Sequence, residues 1–333
     1  MTETHIALYR KYRPNTFEDV VGQEHIVTLL TSTIAQKKTS HAYLFCGGRG
    51  TGKTTVARIF ARDIGCNPED IIEIDAASNR GIDEIRELRE AVRTAPFSSP
   101  YKVYIIDEAH MLTKDAANAL LKTLEEPPSH VVFILATTDP DKLPQTIVSR
   151  CQKIIFKQPD IATLAKRLLH VAKKENKKMS EDSAIVIARH GKGSYRDALG
   201  VLEQICAVSK EDIIHEEVIS LLGTPTKELI LKLLEALCTK NTQEITEVIS
   251  LLRTSSALDT YDECIEYIRQ GLLIRVGKNT EEKGELFRLA TEYPHTIGSK
   301  TILTLLEKRY LIEVSHTHAW TAFLAIFVDF LEE

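Results

Sequence analysis

Residues 47–54 read GGRGTGKT and fill every fixed position of the phosphate-binding pattern G-x-x-x-x-G-K-[ST]. An apolar run, His41 to Phe45, precedes them, and a helix-like run, Thr54 to Ile64, follows. Glycines let the backbone curl so that its N–H groups point at phosphate oxygens, while the following helix directs its positive end at the same anion. The motif therefore predicts a strand, a loop and a helix that bind a nucleoside triphosphate, rather than a glycine-rich turn that only links two elements.

Two side chains carry the chemistry of this loop. Lys53 is expected to reach the terminal phosphates, and Thr54 to bind Mg²⁺. The nucleotide-binding candidates of the loop are Gly47, Gly48, Arg49, Gly50, Thr51, Gly52, Lys53, Thr54 and Thr55.

A second motif, KVYIIDE at residues 102–108, ends a β-branched and aromatic run in two carboxylates. This pattern is typical of a buried strand whose C-terminal tip faces a ligand crevice. Asp107 is expected to hold the Mg²⁺ shell, and Glu108 to orient and deprotonate an attacking water. Two acids in a surface turn are the alternative, but their position after four strand formers and a phosphate-binding loop favours ATP hydrolysis over binding alone.

Composition excludes several classes of protein. The chain has 333 residues, of which 43% are apolar and 27% charged, as in a soluble protein of two or three domains. The N-terminal residues lack the apolar core of a signal peptide and no run approaches membrane-spanning length, so we expect a cytoplasmic protein without membrane contact. The six cysteines contain no C-x-x-C pair, and the net charge of −5 leaves only a local patch for any DNA contact.

The pattern of elements changes twice along the chain. Short β-branched runs alternate with helical patterns at first, which predicts a parallel sheet flanked by helices. Amphipathic helices alone follow, with stop and restart signals at LGTP, residues 222–225. The expected fold class is α/β, a P-loop parallel sheet with a helical lid domain and then an all-α domain. The predicted domains are residues 1–157, 158–222 and 223–333.

Several further segments match sequence motifs of a known protein family. They are YRKYRP (9–14), VVGQ (20–23), EIDAASNRGIDEIREL (73–88), YIIDEAHML (104–112), ALLKTLEEPP (119–128), LATTDPDKLPQTIVSRC (135–151) and GSYRDAL (193–199). With the phosphate-binding loop they closely resemble the bacterial DNA polymerase III gamma/tau subunits, the motor subunits of the sliding-clamp loader. The resemblance covers an AAA+ module, residues 1–222, whereas the remainder resembles the family's helical collar, its oligomerisation domain, only in length and pattern.

The resemblance implies roles for residues outside the two motifs. Thr138, after the predicted strand 131–136, resembles the first sensor, whose hydroxyl would bond the attacking water or the γ-phosphate. The residues that resemble the adenine and ribose pocket are Tyr12, Arg13, Pro14, Val20 and Val21.

Arg196 resembles the family's second sensor. Ser194 is a good N-cap and Asp197 completes an S-x-x-D capping box, so Arg196 falls in the first turn of a helix. From there it could point out of the second domain at nucleotide bound to the first and report ATP as a change in the angle between the domains. A surface salt bridge is the alternative.

The segment Ser149-Arg150-Cys151 resembles the family's SRC motif, whose arginine enters the neighbouring subunit's nucleotide site. A guanidinium there would stabilise charge on the γ-phosphate, which typically raises the rate by about 10³ to 10⁵. Taken alone, Arg150 would more commonly be a charge at a sheet edge. The role in trans requires an oligomer.

DNA contact is implied only through the family. Its sheet-flanking helices follow phosphates on the inside of a spiral, and Arg80, Arg86 and Lys122 are the basic residues on the corresponding segments. Taken alone, each would more commonly be a solvated charge.

Two departures from the family stand out. The family carries a four-cysteine zinc module between the P-loop helix and the next strand, whereas residues 62–71 connect these elements directly and retain only Cys66. A closed structural zinc site needs four ligands, so ATP and Mg²⁺ are the expected cofactors and zinc is not. We also expect a short form of the family, because the sequence stops after the predicted collar and the longer family forms carry a further tail.

The sequence therefore predicts an ATPase motor subunit of the bacterial clamp loader. Its expected partners are the delta and delta prime subunits, further copies of itself, the sliding clamp and primed DNA. The alternatives are a small subunit of an archaeal or eukaryotic clamp loader, a non-hydrolysing structural subunit of the same complex, and an AAA+ helicase motor.

Overall fold

A computed structural model describes residues 6–78, 82–209, 211–277 and 284–332, without the side chains of residues 82–84, 86, 89 and 332. The chain separates into two compact units, residues 1–213 and 214–333. The finer division into three domains, with a boundary after residue 222, remains a prediction.

A five-stranded parallel sheet forms the centre of the first unit, as the β-branched runs predict. Its order is β2-β3-β4-β1-β5. The strands are β1 (Ala42–Cys46), β2 (Ile71–Asp75), β3 (Lys102–Asp107), β4 (Val131–Thr137) and β5 (Gln152–Ile155).

Helices cover both faces of this sheet. Because side chains alternate along a strand, Tyr43 and Phe45 of β1 pack on one face with Phe60, whereas Leu44 packs on the other face with Leu120. All five are fully buried, and each contributes roughly 1.5–3 kcal/mol of hydrophobic stabilisation. The helices are α1 (Leu8–Lys11), α2 (Glu24–Ala35), α3 (Lys53–Asp63), α4 (Ile82–Ala91), α5 (Lys114–Glu125), α6 (Gln145–Val148), α7 (Ile161–Lys174), α8 (Glu181–His190) and α9 (Tyr195–Val208).

The carboxyl ends of three neighbouring strands meet at one edge of the sheet. The phosphate-binding loop follows β1, the carboxylate pair follows β3, and Thr138 follows β4. Cys46 at the end of β1 is in register with Thr137 at the end of β4. Parallel pairing therefore gathers three segments that lie far apart in sequence, and ligands bind at this edge in open α/β sheets.

A short loop joins α3 to β2 where the family's zinc module would lie. Asp70, only 2% exposed, accepts the backbone N–H groups of Phe97 at 2.6 Å and Ser98 at 3.0 Å. Burial alone would raise the pKa of Asp70, but these donors, a hydrogen bond from Ser99 and the charge of Lys102 together outweigh it and lower that pKa. Asn67 adds a bond from Nδ2 to the Ser98 carbonyl at 3.3 Å. These hydrogen bonds thus anchor the loop between α3 and β2.

The second unit is helical, as predicted. Tyr261, Phe323 and Phe327 lie in its core, and the buried Tyr261 hydroxyl donates to the carbonyl of Leu305 at 2.8 Å. Gly223, with φ +56°, ends the first helix in the left-handed conformation typical of a C-terminal glycine. The helices are α10 (His215–Leu222), α11 (Lys227–Cys238), α12 (Thr242–Leu252), α13 (Ala257–Arg275), α14 (Glu285–Glu292), α15 (Ser299–Val314) and α16 (Ala319–Glu332).

Candidate nucleotide-binding site

Lys53 lies inside the phosphate-binding loop. It is the first residue of α3 and is 6% exposed, and its Nζ donates to the carbonyl oxygens of Gly47 at 2.8 Å and Gly48 at 2.9 Å. Burial lowers the pKa of Lys53, while the carboxylates of Glu108 and Asp107 oppose that shift. The ammonium group is thus held at a place where phosphate oxygens could replace the carbonyls as its partners.

Gly50 brings the loop against the N-terminus of α9. Its φ of +68° is left-handed, and a Cβ atom at this position would lie 1.9 Å from Oγ of Ser194. The Gly50 carbonyl also accepts the backbone N–H of Tyr195 at 3.0 Å. The loop is therefore in direct contact with the helix that carries Arg196.

Thr54 and Asp107 form a direct pair. The Thr54 hydroxyl donates to Oδ2 of Asp107 at 2.6 Å. Mg²⁺ prefers oxygen ligands and usually takes only one or two of them from the protein. These adjacent oxygens fit that requirement.

Glu108 stands at the carboxyl end of β3 with an unusual backbone. Its φ of +49° is left-handed, a strained conformation that concentrates at functional sites. Its N–H donates to Oδ1 of Asp107 at 3.0 Å, and the Thr138 hydroxyl donates to its Oε2 at 3.3 Å. The structure thus brings Glu108 and Thr138 together, although 30 positions separate them in sequence.

A cavity of about 720 Å³ opens beside the loop, within the first unit. Gly47 and Gly48 contribute the carbonyl oxygens that Lys53 binds, and Thr138 reaches the site through Glu108. The candidates that line the cavity are Tyr12, Arg13, Pro14, Val20, Val21, Arg49, Gly50, Thr51, Gly52, Lys53, Thr54, Thr55, Asp107, Glu108 and Arg196.

Hydrogen bonds fix the N-terminal wall of this cavity. The Tyr12 hydroxyl donates to Oε1 of Glu175 at 2.5 Å, and Arg167 donates to the Tyr12 carbonyl at 2.6 Å. Nε of Arg13 donates to the Thr55 hydroxyl at 2.9 Å. Burial lowers the pKa of Arg13, and the like charge of Arg58 adds to that effect. The segment is thereby attached both to α7 and to the phosphate-binding loop's helix.

Arg196 lines the cavity from the start of α9. The predicted N-cap is confirmed, since Oγ of Ser194 accepts the N–H of Asp197 at 3.2 Å. The Arg196 guanidinium carbon lies 5.8 Å from the centre of the Tyr9 ring, within range of a cation–π contact.

Sequence patterns do not assign a role in the site to several residues that line the cavity. Arg58 lies one helical turn after Thr54, so the period of α3 could have indicated it. It forms two hydrogen bonds with Glu73, at 2.7 and 2.8 Å. No local sequence pattern predicts Glu73 as its partner. The residues missed are Tyr9, Arg10, Asp19, Val56, Arg58, Glu73, Arg167, Tyr195 and Leu199.

Arg150 lies elsewhere. Its guanidinium donates to Oε1 of Glu125 at 2.6 Å and to the carbonyl of Thr146 at 2.8 Å. Within the described part of the chain, the lining of the cavity does not include it. Its side-chain partners, Glu125 and the carbonyl of Thr146, are likewise outside that lining.

Of the three DNA candidates, only Lys122 can be placed. It lies exposed on α5. Arg80 and the side chain of Arg86 are outside the residues that the structure describes.

Across the described ranges, no group of three or more His, Cys, Asp or Glu side chains is arranged to hold a metal ion. Burial raises the pKa of Cys66 to about 11, which disfavours the thiolate form that binds zinc. We therefore expect elemental analysis of protein purified without chelators to find far less than one zinc per chain. About one zinc per chain, whose removal lowers the melting temperature, would contradict this expectation.

A search of the described helices finds none long and apolar enough to cross a membrane.

Comparison with known families and proteins gives consistent matches. A family model described as DNA polymerase III, delta subunit, matches residues 22–80 and 68–160. The DNA polymerase III subunit tau of Bacillus subtilis (strain 168) is 39% identical over 97% of this chain, which spans 62% of that protein. The DNA polymerase III subunit gamma of Buchnera aphidicola subsp. Schizaphis graminum is 40% identical over 66% of this chain and 67% of its own length.

Among solved structures, the Thermotoga maritima RuvB Holliday junction branch migration motor has a similar fold. The TM-score is 0.54 at 21% identity, over 68% of this chain and 79% of that chain. This likeness confirms the predicted α/β fold with helices around a parallel sheet.

Proposed function

The chain belongs to the gamma/tau family of DNA polymerase III subunits, and from this premise we propose that it is the ATP-hydrolysing motor subunit of a clamp loader. ATP binding would assemble a spiral of subunits that opens the ring-shaped sliding clamp, and primed DNA would trigger hydrolysis and release. The proposed partners are delta, delta prime, further copies of this chain, the clamp and primed DNA, in the cytoplasm. The observation that carries the proposal is the cavity that gathers the phosphate-binding loop, the Thr54–Asp107 pair and Glu108.

In the proposed reaction, a water oxygen forms a bond to the γ-phosphorus while the bond from that phosphorus to the bridging oxygen of ADP breaks. Glu108 accepts the proton of the water, and Thr138 orients the Glu108 carboxylate. The Lys53 ammonium would replace its hydrogen bonds to the two loop carbonyls with bonds to phosphate oxygens. Thr54 and Asp107 would hold Mg²⁺, which would supply charge neutralisation at the phosphates.

Arg196 would couple nucleotide to the position of α9. Ser194 and Tyr195 contact the phosphate-binding loop at Gly50, and Arg196 follows them directly. A phosphate that attracted this guanidinium would therefore pull on the same helix that touches the loop. This supports the role of Arg196 as a sensor.

Arg150 would act on the nucleotide of a neighbouring subunit. Arg150 does not line the cavity of its own subunit, which supports this role. Its ion pair with Glu125 is partly exposed to solvent, with 35% of the Arg150 side chain and 48% of the Glu125 side chain accessible. Exposed pairs of this kind contribute only about 0–1 kcal/mol, so exchange of Glu125 for a phosphate costs little.

The proposed contact with DNA rests on the family alone. Lys122 is an exposed cation that could contact a phosphate without reading sequence. Arg80 and Arg86 remain sequence-based candidates for the same role.

Three alternatives make different predictions. A structural subunit would lack turnover, but Lys53, Thr54, Asp107 and Glu108 are all in place around the cavity. A small subunit of an archaeal or eukaryotic loader is disfavoured by the identity to bacterial gamma and tau subunits. A helicase motor would need no clamp.

The experiment is reconstitution with candidate delta, delta prime and clamp proteins. We expect ATP turnover that rises several-fold when both the clamp and primed DNA are added. Turnover stimulated equally by DNA without clamp would favour a helicase motor, and absence of turnover in the complete assembly would favour a structural subunit.

A further inference from the structure

His110 lies between the ends of two neighbouring strands. It follows β3 in the short turn Ala109–Met111, and its side chain is 12% exposed. Its Nδ1 atom is 3.0 Å from Oγ1 of Thr137, the last residue of β4, and 3.5 Å from Oε2 of Glu108. The imidazole therefore links the tip of β4 to the carboxylate that follows β3.

Thr137 is a fixed support for this ring. Its side chain is fully buried, and Oγ1 accepts the backbone N–H of Asp139 at 3.0 Å. Thr137 also pairs with Cys46, so its backbone is held by the sheet. The hydroxyl that faces Nδ1 is thus carried on a fixed strand.

The Thr137 hydroxyl can pair with either tautomer of the ring, so the Glu108 carboxylate is the group that favours one of them. A lone pair on Nδ1 facing a carboxylate oxygen at 3.5 Å would be repelled, whereas an Nδ1–H can be shared between Glu108 and the Thr137 hydroxyl. At this length the contact with Glu108 is electrostatic attraction rather than a full hydrogen bond. Catalytic hydrogen bonds are commonly long without substrate and shorten when it binds.

We propose that His110 is a positioning residue for Glu108, with its Nδ1–H directing the carboxylate toward the attacking water. Thr138 donates to the same Oε2 atom, so the two donors hold one carboxylate oxygen and the other, Oε1, is turned to the water. The inference rests on the proposed function, because it presumes hydrolysis with Glu108 as the base.

Two matched pairs of variants test this role. His110→Leu fills the space with an apolar side chain and removes the donor, whereas His110→Asn places an amide near the position of Nδ1. Thr137→Val removes the hydroxyl that supports the ring, whereas Thr137→Ser keeps it. The measurements are the Kd of ATP and the single-turnover rate of hydrolysis in the assembled loader.

We expect His110→Leu and Thr137→Val to lower the single-turnover rate about 10- to 100-fold, as misplacement of a catalytic group does. The Kd of ATP should change less than about twofold, because the base acts after binding. His110→Asn and Thr137→Ser should recover most of the rate. A structural role alone would not separate rate from Kd or give this rescue.

A second readout does not depend on activity. Nitrogen NMR of labelled histidine, with the His110 signal identified by its loss in His110→Asn, should find a proton on Nδ1 in the wild type. The signal should shift in Glu108→Gln, which changes the facing group. An Nδ1 without a proton, or a signal insensitive to Glu108→Gln, would overturn the proposal even if His110→Leu failed to fold.

The outcomes separate the two proposals. If wild-type protein hydrolyses ATP and Glu108→Gln does not, but His110→Leu turns over at the wild-type rate, the role of His110 alone is wrong. If the complete wild-type assembly does not hydrolyse ATP at all, the proposed function fails and this inference fails with it.

Discussion

Lys53→Ala should lose ATP binding, whereas Glu108→Gln should bind ATP normally and lose turnover. The Lys53 ammonium is buried in the loop, and each charge-assisted bond it would make to phosphate contributes about 1.5–3 kcal/mol, which predicts a loss of roughly 100-fold or more in affinity. Glu108 acts only in the chemical step, so its amide should reduce turnover by about 10² to 10⁴.

Equilibrium binding of labelled ATP and single-turnover hydrolysis measure the two effects separately. Lys114→Ala is a suitable control, because Lys114 is an exposed lysine at the start of α5. Equal loss of ATP affinity in Lys53→Ala and Glu108→Gln would contradict the role assigned to Glu108.

Arg150→Ala should leave ATP binding by the isolated chain unchanged but remove most DNA-stimulated hydrolysis in the assembly. The reason is that Arg150 lies outside its own cavity and would serve the neighbouring site, where such an arginine raises the rate by about 10³ to 10⁵. Glu125→Gln is the matched control: it removes the negative charge of the partner of Arg150 and keeps the guanidinium, so stimulated turnover should survive.

Mixing variants tests action in trans. Arg150→Ala subunits combined with Lys53→Ala subunits should recover some activity at interfaces where one subunit supplies the arginine and the other the nucleotide. If assembly is intact and no mixing ratio gives any recovery, Arg150 does not act in this way.

The elements that the sequence predicts well are those whose signal is local. The phosphate-binding loop is a contiguous motif between a strand and a helix, and β3 ends in its two carboxylates as expected. The sequence also predicts where the loop and the carboxylates meet, because parallel strands place their carboxyl ends at one edge of the sheet.

The rest of the site depends on contacts between distant segments, which local patterns do not encode. Tyr12 is hydrogen-bonded to Glu175, 163 residues away in the sequence, and Arg58 is hydrogen-bonded to Glu73, 15 residues away. His110 was visible as part of a motif, but its contact with Thr137 depends on the register of β3 and β4. Such pairings need the fold before they can be recognised.

If this chain is a clamp-loader motor, it uses ATP to place a clamp on DNA. Retention of labelled clamp on circular primed DNA, after gel filtration of the reconstituted assembly, tests this most directly. We predict that clamp is retained with ATP and wild-type chain, and lost with Lys53→Ala. Equal retention with Lys53→Ala, or none with wild type despite active ATP turnover, would contradict the account.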